Sequence, residues 1–386
     1  MVSGVGQQGR ESSVTQKPEG HDARMQAVYE HLYQDRYQFK ANEIANAEKL
    51  IVKNLGEMGL TQEFLKDRTV MDMGTGRQAV AFSRLGAKAV YHFDVSPVPV
   101  DALGRLAHDD PQFANIRSRL ADVCLPIRLD ASDGLDLVYL VGILQHLHDP
   151  RQAMVNILPV VNREGYVYFR NYRSGTLNML VVDFLRRLVS RKAGDAFAAH
   201  FARRYPAFRL HQDNTHQSIL ARFYTSLYDH LFVPVLRLYD PRLIDGFFQG
   251  AGFVPIVDHA CTAYDHNLDM VLGGIGISLY YQLRPGRVSR TMPPFPQCID
   301  QLSGLNYNEP YIRRTVGLMM TVLDRAARLS LVEIFDLAID AYWAAFGHAL
   351  YAFYNSTNEV PTREIASTDE AAHRQLNDLL GPLASA

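Results

Sequence analysis

The period of the hydrophobic pattern changes along the chain. Between about 23 and 66, apolar residues recur at helical spacing: Val28, Leu32 and Tyr33, then Ile44, Ala47, Leu50, Ile51 and Leu55. That spacing gathers them on one side of a helix. Tyr29, Tyr33 and Tyr37 lie one turn apart and form a stripe. From about 67 to 172 the pattern becomes short apolar runs separated by helical stretches. It predicts strands near 69–74, 89–94, 116–121, 135–141 and 165–171. Strands alternating with helices predict a doubly wound α/β fold, a parallel sheet with helices on both faces. A last helix and hairpin over about 241–284 complete it.

Between the fifth strand and that last helix the pattern is helical again, over Leu177–Val189, Ala196–Tyr205 and His216–Phe232. An insertion of this length far exceeds an ordinary connection. It is rich in aromatic residues, among them Phe197, Phe201, Phe223, Tyr224 and Tyr228. The cluster Pro293-Pro294-Phe295-Pro296 marks a linker. Beyond it, helices are expected near 309–328 and 330–355, followed by a polar tail. The extension is expected to dimerise or to fold back on the rest. The chain divides into a disordered tail (1–22), an N-terminal helical cap (23–66), a nucleoside-binding core (67–172), a helical insertion (173–240), the end of the core sheet (241–285) and a helical C-terminal extension (286–386).

Composition narrows the classes. Of 386 residues, 47% are hydrophobic, enough for sizeable cores. The formal net charge is −2, so no strong basic field marks the chain for nucleic acid. Cys124, Cys261 and Cys298 are odd in number and far apart, which fits the reducing cytoplasm rather than a disulfide framework. The first 22 residues lack an apolar signal-peptide core. In the apolar stretch from Leu331 to Tyr354, Glu333, Asp336 and Asp340 recur on one helix face, which argues against a membrane span.

The chemistry begins at Val70-Met71-Asp72-Met73-Gly74-Thr75-Gly76, a hydrophobic strand that breaks into two glycines. Without a Cβ, Gly74 and Gly76 let backbone approach a ligand, and the helix after them points its positive end at the same place. A second strand, Ala89 to Asp94, ends in an acid that can accept hydrogen bonds from ribose hydroxyls. Two cofactors compete. Gly74-Thr75-Gly76-Arg77-Gln78-Ala79 fits the relaxed G-x-G-x-x-A pattern of dinucleotide sites. Asp72 favours S-adenosylmethionine (SAM), since a carboxylate there can meet an ammonium but repels a pyrophosphate.

Further segments follow in order. Leu120-Ala121-Asp122-Val123 comes after the third strand, and Val141-Gly142-Ile143-Leu144-Gln145-His146-Leu147-His148-Asp149-Pro150 after the fourth. Glu164 to Tyr172 contains the fifth strand, and Gly250-Ala251-Gly252-Phe253 precedes the last hairpin. Together these resemble the class I (Rossmann-like) SAM-dependent methyltransferases of the small-molecule type, over about 65–285. The chain departs from them at Gln78, where many relatives carry a third glycine.

The resemblance implies a mostly parallel seven-stranded sheet and a SAM site. It places Gly74, Thr75 and Gly76 at the methionine end with Asp72 near its ammonium. Asp94 and Val95 hold the ribose, and Asp122 and Val123 the adenine. Val141 and Gly142 lie near the sulfonium, and Tyr37 is in the covering helix. The product would be S-adenosyl-L-homocysteine (SAH). His146, just past the fourth strand, is the candidate general base, with a histidine's ordinary pKa near neutrality. His148 is expected to point away. Asn171, Tyr172, Tyr224 and Tyr228 are candidate contacts of a small-molecule acceptor, one of secondary metabolism. The pairs Arg186-Arg187 and Arg203-Arg204 would suit an anionic acceptor. His211, Asp213 and His216 match no strong metal signature, and no metal is expected. The alternatives are an NAD-dependent oxidoreductase and a SAM-binding scaffold or regulatory protein that transfers no methyl group.

Overall fold

The computed structural model describes residues 20–33, 39–130, 134–172, 174–210, 219–256, 276–283, 291–304, 307, 310–355 and 368–385. The N-terminal segment forms two helices, α1 (His21–Tyr33) and α2 (Ala41–Glu57), so helix begins at His21 rather than near 23. The core alternates β1 (Thr69–Met73), α3 (Arg77–Arg84), β2 (Ala89–Asp94), α4 (Pro97–Asp109), β3 (Ile116–Leu120), β4 (Leu135–Val141), α5 (Pro150–Ile157) and β5 (Val161–Tyr172). After the insertion come α9 (Pro241–Gly250), β6 (Phe253–Pro255) and β7 (Gly276–Leu283).

The seven strands lie in the order β3-β2-β1-β4-β5-β7-β6. β1 to β5 pair in parallel, while β7 runs antiparallel to both β5 and β6, so the sheet is mixed. An antiparallel seventh strand between the fifth and sixth is not the 3-2-1-4-5-6 order of the dinucleotide-binding fold. β5 begins at Val161, earlier than the expected 165. Its register against β4 jumps between Leu135–Val161 and Leu137–Tyr166, and Glu164, at φ 60°, sits at the bulge.

All five residues of β1 are buried, as a central strand covered on both faces requires. Alternation sends Val70 to one side, among α2 and α3 residues such as Ile51 and Phe82. Met71 and Met73 go to the other, among α5 and α9 residues such as Met154 and Phe248. Caps set where helices start above the strands. Ser96 accepts from Val98 N–H at α4, and Asp149 from Gln152 N–H at α5, each followed by proline at the first helical position.

The insertion folds as α6 (Leu177–Leu188), α7 (Gly194–Arg204) and α8 (Ile219–Phe232), and the extension as α10 (Pro310–Asp324), α11 (Leu331–Asn355) and α12 (Thr368–Ser385). They share one core, to which α1 also contributes. α11 packs on α6, α7 and α8, and α12 on α10 and α11. Phe197 of α7 meets Phe335 of α11 edge to face at 5.3 Å. The extension therefore folds back on the insertion. The polar tail expected after 355 carries helix α12, because Ala372, Leu376 and Leu380 recur every four residues and are all buried. Among the described residues, no helix is long and apolar enough to cross a membrane.

Candidate functional site

A cavity of about 290 Å³ opens at the carboxyl ends of β1, β2 and β4, beneath α1 and beside α8. In open α/β sheets ligands bind at this edge. Ten of the residues expected from sequence line it: Gly74, Thr75, Asp94, Val95, Asp122, Val123, Val141, Gly142, His146 and Tyr172. They come from five separate chain segments, which only the sheet order brings together.

The turn after β1 needs its glycines for different reasons. Gly74 lies at φ 103°, and a Cβ there would stand 3.3 Å from Ile143, which also lines the cavity. Gly76 lies at φ 78°, but it caps α3 beneath the turn and does not line the cavity. A Cβ on it would come 2.7 Å from Leu103, so this glycine serves packing. Asp72 is not in the cavity either. Alternation turns it toward the start of α3, where its carboxylate accepts the backbone N–H groups of Met73 and Ala79. It is 2% exposed, and burial pushes its pKa up to about 8. Its position makes it a clasp between strand and helix, with the donors of the helix N-terminus as partners.

Asp94 stands at the tip of β2, where the N–H groups of Val95 and Ser96 hold its carboxylate, the latter at 2.7 Å. Burial raises its pKa to about 7 despite those two bonds. A diol donating to this carboxylate would favour its charged form. Asp122 accepts Cys124 N–H at 2.9 Å and faces His148 Nδ1 at 3.7 Å. His148 does not point away as expected. The chain extends at Leu147 after a tight turn, which brings His148 into the cavity wall, edge-on to His21. Side-chain atoms of Asp122, Cys124 and His148 lie within 4.8 Å of one another, a grouping with the donor types of a metal site. Here the Cys124 thiol donates to Asp149 O at 3.3 Å, and burial raises its pKa to about 12.

His146 lines the cavity, but its chemistry differs from the expectation of an ordinary pKa. Its Nδ1 bonds Val235 O at 2.9 Å, and a carbonyl only accepts, so Nδ1 carries the proton. Nε2 then holds the lone pair, toward which the Gln145 amide donates at 3.2 Å. Burial lowers the pKa to about 4, so the ring is a neutral imidazole at pH 7 and a weak base.

Of the acceptor candidates, only Tyr172 lines the cavity. Asn171 is 3% exposed and, one residue earlier on the strand, faces the other side of the sheet. Tyr224 and Tyr228 pack inside the helical body against Phe197, Phe232 and His31. His31 Nε2 also bonds the Tyr224 hydroxyl at 2.9 Å. The arginine pairs are structural where partners are seen. Arg186 donates to the carbonyls of His230 and Val233, Arg187 pairs with Asp300 and Arg204 with Asp340. Tyr37, Cys261, His211, Asp213 and His216 lie outside the described residues.

Sequence reasoning missed Asp229 and most of the α1 face. His21, Asp22, Met25, Gln26, Tyr29 and Tyr33 line the cavity, all within one helix. The tyrosine stripe was the available signal for it. Asp229 is the sole acid of α8, which is rich in aromatic and apolar residues, and that was legible in the sequence.

Residues 71–169 match the model of a methyltransferase domain. No curated protein matches the chain. Among solved structures, the chain is similar to the N-methyltransferase NodS from Bradyrhizobium japonicum in complex with SAH. Identity is 19%, over 39% of this chain and 74% of that one, at a TM-score of 0.29. It is also similar to the CcbJ methyltransferase from Streptomyces caelestis, with 17% identity over 38% of this chain and 58% of that one, at a TM-score of 0.30. A third similarity is to the [4+2]-cyclase SpnF, with 12% identity over 62% of this chain and 82% of that one, at a TM-score of 0.36.

Proposed function

We propose, from the premise that the chain carries a class I SAM-dependent methyltransferase domain, that it methylates a small molecule held in the cavity between that domain and helices α1 and α8. One observation carries the reading: the glycine turn, Asp94, Asp122, Gly142 and His146 converge on a single cavity with an aromatic wall.

The donor set fits the cofactor. Asp94 would accept from the ribose diol, Asp122 from the adenine amino group, and the Gly74–Thr75 backbone would run beside the methionine end. Asp72, enclosed under the turn, would act on that end only through the loop it fastens. When bound, SAM supplies a methyl group on a sulfonium, transferred as the acceptor's lone pair forms the new bond to carbon and the C–S pair returns to sulfur. The chain's own task is to hold donor and acceptor in line, and positioning of this kind is worth roughly 7–11 kcal/mol. Residues of α1 and α8 line the cavity, and that partial cover would limit water beside the reacting groups. His146 enters as a neutral imidazole. It would take a proton at Nε2 only after the Gln145 amide turns aside.

The free thiols Cys124 and Cys298 fit a cytoplasmic location. Exposed Leu331 and Val332 at the start of α11 suit a homodimer through the extension. The function is tested by incubating the full chain with SAM and acceptor panels and measuring SAH release. Acceptor-dependent SAH is expected. If SAM binds and no acceptor is ever consumed, the scaffold reading replaces this one. A His146→Ala variant is expected to keep a measurable fraction of turnover, and complete loss would restore an essential base.

A further inference from the structure

The cavity wall beside Asp122 gathers donor atoms that a nucleoside site does not call for. Side-chain atoms of Asp122, Cys124 and His148 lie within 4.8 Å of one another, and Asp122 Oδ2 stands 3.7 Å from His148 Nδ1. Ligands of a tetrahedral zinc ion, about 2.0–2.3 Å from the metal, lie roughly 3.3–3.8 Å from one another. The three side chains need draw together by only about 1 Å to share such an ion. Two anchored turns carry them. Cys124 N–H holds the Asp122 carboxylate at 2.9 Å, and Asp149, directly after His148, caps α5. The Cys124 thiol donates to Asp149 O, so its sulfur lies beside the residue that follows His148. A second observation comes from α1. His21 lines the same cavity, is 5% exposed and stands edge-on to His148, with ring centroids 5.7 Å apart. Its Nδ1 bonds Asp22 Oδ1 at 3.1 Å, and a carboxylate only accepts, so Nδ1 carries the proton and Nε2 the lone pair. That Nε2 is buried with no hydrogen-bond partner among the described residues. A histidine held by a carboxylate at one nitrogen and keeping its lone pair at the other is in the form that ligates metal.

We propose that Asp122, Cys124 and His148, with His21 Nε2 as the fourth donor, bind a zinc ion. A thiolate, two imidazoles and a carboxylate are the ligand types zinc takes, and sulfur and nitrogen disfavour magnesium and calcium, which take oxygen. The ion replaces contacts these groups make without it. The thiol's bond to Asp149 O gives way to a Zn–S bond, and the thiol proton passes to solvent. Nothing is oxidised. The occupied site ties three segments together: the turn after β3, the turn before α5 and the first residue of α1. Asp122 is also the acceptor for the adenine amino group in the methyltransferase reading of this cavity. The consequence for the cofactor rests on that reading: zinc and SAM exclude each other, and the ion holds the chain in a form that does not take up the methyl donor.

The test titrates the full chain, first stripped of metal with a chelator, with zinc chloride by calorimetry. Saturable binding of one ion per chain is expected, with release of about one proton, read by repeating the titration in buffers of different ionisation enthalpy. Cys124→Ser is expected to weaken zinc binding at least tenfold while changing zinc-free SAH affinity by less than twofold, which also reports that the variant is folded. Should it not fold, His21→Phe, which keeps a ring beside His148, carries the same expectation for zinc. In the native chain, saturating zinc is expected to weaken SAH binding at least tenfold. No zinc binding, or equal zinc affinity in the native and substituted chains, overturns the inference. Zinc bound through Cys124 with SAH affinity unchanged overturns the competition, and with it the placement of adenine at Asp122. Failure of SAH to bind the zinc-free chain would instead strike the methyltransferase reading and leave the zinc result standing.

Discussion

Asp72 in β1 and Asp94 at the tip of β2 are both acids close to the glycine turn, and their surroundings differ. Asp94 faces the cavity with its pKa raised to about 7, while Asp72 lies beneath the loop with its pKa raised to about 8. A ligand whose hydroxyls donate to Asp94 requires the carboxylate form. Below pH 7 that form must first lose a proton, so SAH affinity is expected to fall as pH drops, by up to about tenfold per unit. Above pH 8 the Asp94 contribution levels off. Calorimetry between pH 5.5 and 8.5 measures this directly, and Asp94→Asn is expected to weaken binding and flatten the profile. A wild-type profile flat from 5.5 to 8.5 would remove Asp94 from the ribose role. The pattern Asp72-x-Gly74-x-Gly76 was legible as a ligand turn, yet the sequence does not say which members face the ligand. Gly76 proves to be set by Leu103, a packing partner distant from the motif, and Asp72 by the start of α3 directly after it.

Elements were legible where a periodic pattern and a boundary signal coincided. β1, β2 and β4 fall within a residue of expectation, each ending at a glycine or an acid. α12 was missed because its few apolar positions sit in a polar run and gain meaning only against α10 and α11. The same holds for the joint core of insertion and extension, whose contacts span more than a hundred residues of sequence, as with Phe197 and Phe335. Phe335 is 2% exposed at the meeting of α7 and α11. Phe335→Ala is expected to cost about 3–5 kcal/mol. The loss should appear as a lowered thermal midpoint and as faster proteolytic cutting of the helical body. An unchanged midpoint would mean that insertion and extension do not share a core.

At the scale of the molecule, a mixed seven-stranded sheet carries a cavity at its carboxyl edge, which helices α1 and α8 also line. The class of fold was readable from the alternation of strands and helices. The antiparallel last pair was readable as a hairpin, but the seventh strand's place between the fifth and sixth was not, because strand order depends on pairing partners far apart in sequence. That strand and the order it creates separate this sheet from the dinucleotide-binding arrangement that the glycine turn alone would also fit. The helical body contributes α1 and Asp229 to the cavity lining, so the cavity is built in part by segments the core does not contain. The central claim, a SAM site at the end of β1 and β2, is tested most directly by titrating the full chain with SAH and, separately, with NAD. Saturable binding of SAH and none of NAD is the predicted result. Binding of NAD without SAH would contradict the account.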